Sequence, residues 1–395
     1  MTPSNSVKSK NEAIVKPEIL KWARENAGFS LEQAAKKIAV KPEKLLASET
    51  GKERLTIRQL RSLSNAYKRP LAFFYLPSPP AQEQAVHDFR RLPEETDRLE
   101  SPDLRLEIRR ARYRRQIALE LYDELGVAPP KFEARTVTFA DSESMAQTIR
   151  HLLGIDPIRQ FALKNQYEIF NFWRTALEKA GVLVFQAAGV ELSEARGVSL
   201  IESPLPIILV NIKDSPLGRV FTLLHEFSHL MLRSPGLCDL QGEEQTEIFC
   251  NAVAGAALVP KELLQAEASV VECVAPNDWK DEEVIFLSSK YGVSREVVLR
   301  RLLTLGKITQ DFYRKKRQEF QKEYDAHNRK DGFAPPDVMA VSTAGKLFVG
   351  LVLESYRQEK ITSNDVATYL GVRLKHLSKI EKAVQTSEFE LGAAA

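Results

Sequence analysis

The stretch RVFTLLHEFSHLMLR, residues 219–233, carries the pattern His-Glu-x-x-His as His225, Glu226 and His229. On a helix, side chains four residues apart project from one face, so both imidazoles can bind one zinc ion. Glu226 lies next to the first histidine and can serve as the general base for a water molecule. The other side chains are apolar nearly all round the helix. This predicts a buried helix that holds the ligands rigidly.

An amphipathic helix with two structural histidines is the alternative explanation of this pattern. The strongly apolar flanks argue against a surface helix. In a core, two histidines without hydrogen-bond partners would lower the free energy of unfolding. We therefore predict a zinc (Zn²⁺) site, which needs a third protein ligand and an open position for water.

The third ligand must be a carboxylate, because the next histidine along the chain is His327. The segment GEEQTEIFCNAVAGAALVP, residues 242–260, offers Glu243, Glu244 and Glu247. Glu247 lies on a predicted helix rich in small residues, which let two helices approach closely, whereas the other two lie at its frayed start. Glu247 is therefore the predicted ligand, and solvated surface charge is the alternative for each glutamate.

The two segments together, LLHEFSHLML and then EIFCNAVAGAALVP, resemble the ImmA/IrrE-type zinc metallopeptidases over about residues 145–305. In that family a His-Glu-x-x-His helix precedes a Glu-x-x-Cys/Ala-Asn helix that ends in Leu-x-Pro. The matching positions are His225, Glu226, His229, Glu247, Cys250, Asn251, Leu258 and Pro260. The resemblance implies a small α/β zinc peptidase that cleaves a regulatory protein, often a repressor, with Glu247 as third ligand. Its motifs place no Tyr or His that would stabilise the transition state.

Around this segment the chain has a short set of strands and is otherwise mostly helical. The best predicted strands are GVLVFQ (181–186), GVSLIE (197–202) and PIILVN (206–211). The predicted fold is α+β and mostly α. It has an N-terminal helix-turn-helix bundle, a central small peptidase domain with a short sheet, and a C-terminal helical region. The predicted domain bounds are 1–80 for the bundle, 81–130 for a helical linker, 131–310 for the peptidase and 311–395 for the C-terminal region.

The N-terminal part of the chain is basic. Residues 1–70 carry 15 Lys/Arg and 7 Asp/Glu, whereas the rest of the chain sums to −5. This basic N-terminal segment, called the head below, indicates an anionic partner, and a solvated surface is the alternative explanation. Ser30 with Gln33, and Thr56 with Gln59, form capping boxes that predict the starts of two helices.

Residues 17–67 resemble the Xre/Cro-type helix-turn-helix, which lays its second helix in the major groove of duplex DNA. The contacts implied are Lys41, Lys44 and Ala47 to bases and Lys36, Lys37, Lys52 and Arg54 to phosphates. Glu43 and Glu49 oppose phosphate unless they point away, so a protein-contact or dimerisation module is the alternative. We expect residues 1–75 to bind duplex DNA as a homodimer.

Six arginines stand between Arg105 and Arg115, against the single acid Glu107. We expect them to pair internally, with acids such as Glu94, Glu95 and Glu100, because arginines on a linker helix are usually solvated or internally paired. Contact with nucleic acid is the alternative.

Several protein classes are excluded by composition. No run of about 20 apolar residues occurs, and the N-terminus has no signal-peptide core. Three cysteines without a CxxC pattern cannot form a disulfide framework. We therefore expect a cytoplasmic protein with no membrane partner.

Two functions compete. The first is a zinc endopeptidase fused to a DNA-binding head, which cleaves a repressor or partner protein in a bacterial, phage or mobile-element regulatory system. Its extended substrate would add to the sheet edge near Pro206–Val210. The second is a DNA-binding regulator or antitoxin whose metal site is structural or inactive. Glu226 favours the enzyme, because a structural site needs no general base.

Overall fold

The computed structural model describes residues 11–80, 100–132, 141–232, 243–272, 279–326 and 335–385. The described residues up to 110 form one compact unit, and those from 111 onward form a second. The predicted acids Glu94 and Glu95 and the histidine His327 lie outside the described residues. The four-part domain division of the sequence analysis stays a prediction.

The first unit is a bundle of short helices closed by a 3₁₀ turn. Its elements are α1 (Pro17–Asn26), α2 (Leu31–Lys37), α3 (Pro42–Glu49), α4 (Ile57–Tyr67) and the turn Leu71–Tyr75. Both predicted capping boxes are confirmed. The Ser30 side chain accepts from the Gln33 backbone, and Thr56 accepts from that of Gln59. A fully buried apolar core that includes Leu45 and Leu60 holds the helices together.

Helix α5 (Pro102–Glu124) begins in the first unit and ends in the second. The elements that follow are α6 (Ser142–Leu152), α7 (Pro157–Ala162), α8 (Gln166–Lys179), β1 (Leu183–Ala187), β2 (Gly197–Leu200), β3 (Ile207–Asn211), α9 (Pro216–Leu232) and α10 (Glu243–Leu258). The last elements are α11 (Lys261–Gln265), α12 (Ala268–Glu272), α13 (Asp281–Tyr291), α14 (Arg295–Thr304), α15 (Gln310–Ala326), α16 (Pro336–Ala344), α17 (Lys346–Arg357), α18 (Ser363–Leu370) and α19 (Leu377–Gln385). The predicted fold class, α+β and mostly α, is confirmed.

The described sheet has three strands in the order β1-β3-β2, and all of their residues are buried. β1 is parallel to β3, and β2 is antiparallel to it. The three strand predictions are confirmed, but the predicted sheet edge at Pro206–Val210 is wrong. β3 (Ile207–Asn211) is the central strand, because β1 and β2 pair with its two sides. The edges of this sheet are therefore β1 and β2.

The helices α16 and α17 dock on β1 through a buried ion pair. Arg174 and Glu178 are both almost fully buried, with Arg174 Nε 3.1 Å from Glu178 Oε1. Arg174 Nη1 donates to the Ser342 carbonyl at 2.6 Å, and Glu178 accepts from the Leu347 backbone at 3.2 Å. Between those two positions, Gly345 has φ +84°, and a Cβ there would lie 2.5 Å from Glu178 Oε1. Only glycine fits this position.

The arginine run on α5 is paired internally, as predicted. In the first unit Arg105 Nε lies 3.2 Å from Glu100, and Arg109 donates to the Tyr67 carbonyl at 2.9 Å. In the second unit Arg112 Nε lies 2.8 Å from Glu202. Each of these three arginines thus has a partner within the chain.

Among the described helices, none is by itself both long and apolar enough to cross a membrane. The consecutive helices α16 and α17 reach that length and composition together, but they are bent by 108°. The apolar residues of α17 are buried in the second unit.

Candidate metal centre

Helix α9 forms the buried centre of the second unit. Ser215 caps it, since its Oγ accepts from the Gly218 backbone at 3.0 Å. From Arg219 to Leu232 every residue is buried, and the helix packs against α8, α10 and β2. The apolar flanks therefore face protein on all sides, as the sequence predicts. A helix held in this way keeps the directions of its side chains fixed.

Helix α10 packs along α9 and presents small residues to the core. Ala254, Ala256 and Ala257 are at most 1% exposed, and Cys250 is fully buried. Small side chains let the two helix backbones approach closely, which brings α10 within reach of the histidines on α9. Glu247 lies one turn before Cys250, and its side chain is 30% exposed.

The side chains of His225, His229 and Glu247 meet in one cluster. His225 Nε2 lies 3.1 Å from His229 Nε2. Glu247 Oε2 lies 3.3 Å from His225 Nε2, and Glu247 Oε1 lies 3.1 Å from His229 Nε2. Both imidazoles are buried, so the cluster meets solvent on the Glu247 side.

These distances fit a tetrahedral cation. Ligand atoms about 2.0–2.1 Å from a zinc ion at tetrahedral angles are about 3.3 Å apart. The two imidazole nitrogens, 3.1 Å apart, lie close to that value, and the Glu247 carboxylate bridges them with one oxygen near each, Oε2 3.3 Å from His225 Nε2 and Oε1 3.1 Å from His229 Nε2. With one ligand atom from each residue, the three atoms all lie within 4.8 Å of one another. Two imidazole nitrogens and one carboxylate also match the donor set of catalytic zinc sites, which keep the fourth position open. His225, His229 and Glu247 thus form a possible metal site.

The electrostatics of the cluster favour positive charge at its centre. Burial alone would raise the pKa of Glu247, but hydrogen bonds from both imidazoles lower it to about 2. Burial alone would lower the pKa of His229, but hydrogen bonds to Cys250 and Glu247 raise it to about 11. The carboxylate is therefore ionised at neutral pH and available to a cation.

The sequence around this cluster matches a known family. Residues 177–303 match the family model of the IrrE N-terminal-like domain. That match spans all three strands, α9, α10 and most of α14, and so contains the whole cluster. That model describes a domain of the ImmA/IrrE metallopeptidase family. No curated protein matched the chain.

In this IrrE N-terminal-like domain Glu226 points toward β2. A Cβ built on Gly197 would lie 2.8 Å from Glu226 Oε1 and 2.4 Å from Thr222 Cγ2. The strand therefore comes close to the helix at Glu226, and only glycine leaves room for the carboxylate. Glu226 is 1% exposed, so this contact fixes it between the histidine pair and the edge strand β2.

The sequence analysis assigned no role to Gly197. A glycine inside a strand pattern often marks a close approach of another element, and this signal was present in GVSLIE. Glu243 and Glu244, the other candidate ligands, begin α10, but their side chains lie outside the described residues.

The predicted DNA contacts lie far along the chain from the IrrE N-terminal-like domain, in the first unit. Five of them are exposed, namely Lys36, Lys37, Lys41, Lys52 and Arg54, while Lys44 and Ala47 are half-buried. Glu49 is turned inward, where its carboxylate accepts two hydrogen bonds from Arg24, at 2.8 and 2.9 Å. Glu43, by contrast, is exposed.

Proposed function

We propose that this protein is a zinc-dependent endopeptidase. One observation carries the proposal: two imidazoles of the buried helix α9 and a carboxylate of α10 cluster within 4.8 Å of one another, and Glu226 on the same buried helix faces the strand β2. His225 Nε2, His229 Nε2 and a carboxylate oxygen of Glu247 would hold the ion. A bound zinc ion supplies Lewis-acid polarisation of the peptide carbonyl and lowers the pKa of water.

Glu226 performs the proton transfers. Its carboxylate accepts a proton from the attacking water and then donates it to the nitrogen of the leaving amine. The contact with Gly197 supports this role, because it leaves the side chain little room to swing away. Burial excludes bulk water, which strengthens the electrostatic interactions of the carboxylate with the reacting groups.

The corrected sheet order changes where the substrate binds. We expect an extended peptide to pair with β2, Gly197–Leu200, and not with β3. β2 pairs only with β3 in the described sheet. It is also the strand that touches the Glu226 side chain, so a peptide added there lies beside the general base.

The test is cleavage of a diverse peptide pool by the full-length protein loaded with zinc. We expect turnover that stops on chelation and returns with zinc. Glu226→Gln is the matched control, because the amide keeps the shape but accepts no proton. We expect it to retain zinc and to lose about 10²–10⁴-fold in rate. Equal cleavage by both proteins would remove Glu226 from the mechanism. Full zinc occupancy without any cleavage would favour the regulator or antitoxin with a structural metal.

We also propose that residues 1–75 bind duplex DNA as a homodimer and direct the peptidase to a repressor or partner protein. The inward position of Glu49 supports this, because it removes one of the two acids that would repel phosphate from α3. The exposed lysines and Arg54 carry the positive charge. We expect affinity to fall steeply with salt concentration, since each neutralised phosphate releases counterions.

The assay is a mobility shift of the full chain on mixed duplexes at low and high salt, with Lys36→Gln/Lys37→Gln as the test variant. Lys68→Gln, on a different part of the unit, is the control. Absence of any shift at low salt would make the head a protein-contact module.

A further inference from the structure

A cavity of about 180 Å³ lies beside the N-terminal part of helix α9. Phe221 lines it and lies one helical turn before His225, on the same face of α9. Arg196 also lines it and immediately precedes Gly197, the residue that touches Glu226. The cavity is therefore one helical turn of α9 away from His225, and Arg196 links its wall to the start of β2.

The cavity wall has more positive than negative charge. Three guanidinium groups line it, those of Arg196, Arg300 and Arg317, against the two carboxylates of Asp214 and Glu296. Arg196 Nη1 and Asp214 Oδ2 form a close pair at 2.9 Å. Arg300 and Arg317 instead share one oxygen of Glu296, each at 3.4 Å. One positive charge is therefore left over on the side formed by α14 and α15.

The N-terminal turns of two helices also line the cavity. Ser294, the N-cap of α14, lines the cavity, and so does Gly218 in the first turn of α9. The N-terminal turns of both helices carry partial positive charge. Each end already has a carboxylate of the cavity wall beside it, because Asp214 Oδ1 accepts from the Ser215 backbone at 2.8 Å and Glu296 lies in the first turn of α14. The charge that would favour an anionic group in the cavity is therefore the surplus guanidinium charge.

The volume of the cavity limits the size of the ligand that it can hold. Pockets for small-molecule ligands usually measure about 300–1,000 Å³, whereas this cavity measures about 180 Å³. That volume suits one side chain. An apolar wall for methylene groups is supplied by Leu192, Phe221 and Val297. The guanidinium groups of Arg300 and Arg317 supply donors with the fork geometry that matches a carboxylate.

We infer that the cavity is a specificity pocket that binds an aspartate or glutamate side chain of the substrate, close to the scissile bond. This inference rests on the proposed peptidase function.

The first test measures binding without cleavage. It uses the full chain with Glu226→Gln, loaded with zinc, and three pools of random nonapeptides whose central residue is Glu, Gln or Lys. We expect the Glu pool to bind about tenfold or more tightly than the Gln pool, the effect of one charge-assisted hydrogen bond. The Lys pool should bind most weakly. The preference for Glu should weaken at high salt.

Two double variants locate the preference. Arg300→Gln/Arg317→Gln should abolish it, because these arginines carry the surplus charge. Arg295→Gln/Arg314→Gln removes the same charge from the same two helices, but these arginines pair with Glu323 and Asp311. This control should keep the preference. Retention of the preference in the first double variant, or equal binding of all three pools by the parent, would overturn the inference.

The second test separates the pocket from the peptidase. Cleavage products from the active full chain should show Asp and Glu enriched at one position near the cut bond. With Arg300→Glu/Arg317→Glu the enrichment should move to Lys and Arg at that same position. Cleavage without acidic enrichment would overturn the pocket and leave the peptidase standing. A preference for the Glu pool in a protein that cleaves nothing would refute the peptidase and support the pocket.

Discussion

The contact between Gly197 and Glu226 gives the most specific prediction of the structure. In Gly197→Ala the new Cβ would lie 2.4 Å from Thr222 Cγ2 and 2.8 Å from Glu226 Oε1. Carbon atoms pack best at about 3.5–4.0 Å, so one of the two elements must shift by about 1 Å. Both contacted side chains lie on the buried helix α9, which has little room to yield. Gly197 does not have a positive φ, so the effect is steric and not a backbone strain.

Gly197→Ala should lower both the free energy of unfolding and the rate of peptide cleavage. Overpacking in a core costs about 1–3 kcal/mol of unfolding free energy. A displacement of about 1 Å at a catalytic group costs about 10²-fold in rate. Zinc content should not change, because Gly197 touches Glu226 and none of the three metal ligands. The assay measures the rate on the peptide pool, the thermal midpoint and the metal content of the same preparation.

Thr222→Ser is the matched control, and in combination with Gly197→Ala it should restore the stability but not the rate. It removes Cγ2, the atom of the closest contact, so Gly197→Ala/Thr222→Ser should recover stability. Its rate should remain low, because the contact with the Glu226 carboxylate persists. A Gly197→Ala protein with the rate and the thermal midpoint of the parent would refute the reasoning.

The remaining predictions concern the metal and one helix cap. Glu247→Ala should lose most of its zinc and all cleavage, whereas Glu243→Ala and Glu244→Ala should keep both; elemental analysis of the three proteins decides between the carboxylates. Chelation should lower the thermal midpoint, since a metal at 100 times its Kd contributes about 2.7 kcal/mol, and Glu247→Ala should show almost no response. Side-chain and backbone hydrogen bonds from Thr362 lower the pKa of Asp365 below its usual 3.8. That stabilisation is present above about pH 3.8 and is lost as the pH falls through the lower folded-state pKa. Asp365→Asn should thus lower the thermal midpoint at about pH 6, and its difference from the parent should shrink as the pH falls below about 3.8, as followed by circular dichroism.

Local patterns in the sequence predict the helices and the residues that meet in the His-His-Glu cluster. Ser30 with Gln33 and His225 with His229 are three and four residues apart, so a helix alone brings them together. Glu247 could also be chosen from sequence, because the small residues after it indicate close packing of two helices.

Non-local pairing explains what the sequence could not predict. The central position of β3 depends on which strands pair, and nothing within Ile207–Asn211 specifies that. The cavity beside the metal centre needs Arg196, Arg300 and Arg317 from three separate elements. The close approach of Gly345 to Arg174 and Glu178 is likewise a contact between segments that are distant in the chain.

The docking of α16 on β1 has a consequence for association between copies of the chain. A sheet edge is a template on which another chain can add a strand, and long open edges promote aggregation. At the β1 edge, Arg174 Nη2 donates to the Val184 carbonyl, and Gln186 donates to the Ser342 carbonyl on α16 at 2.6 Å. A foreign strand would have to displace a buried guanidinium and a packed helix to pair there. Within the described sheet, β1 is thus closed to another strand, and the other edge strand is the four-residue β2, Gly197–Leu200, which lies against Glu226.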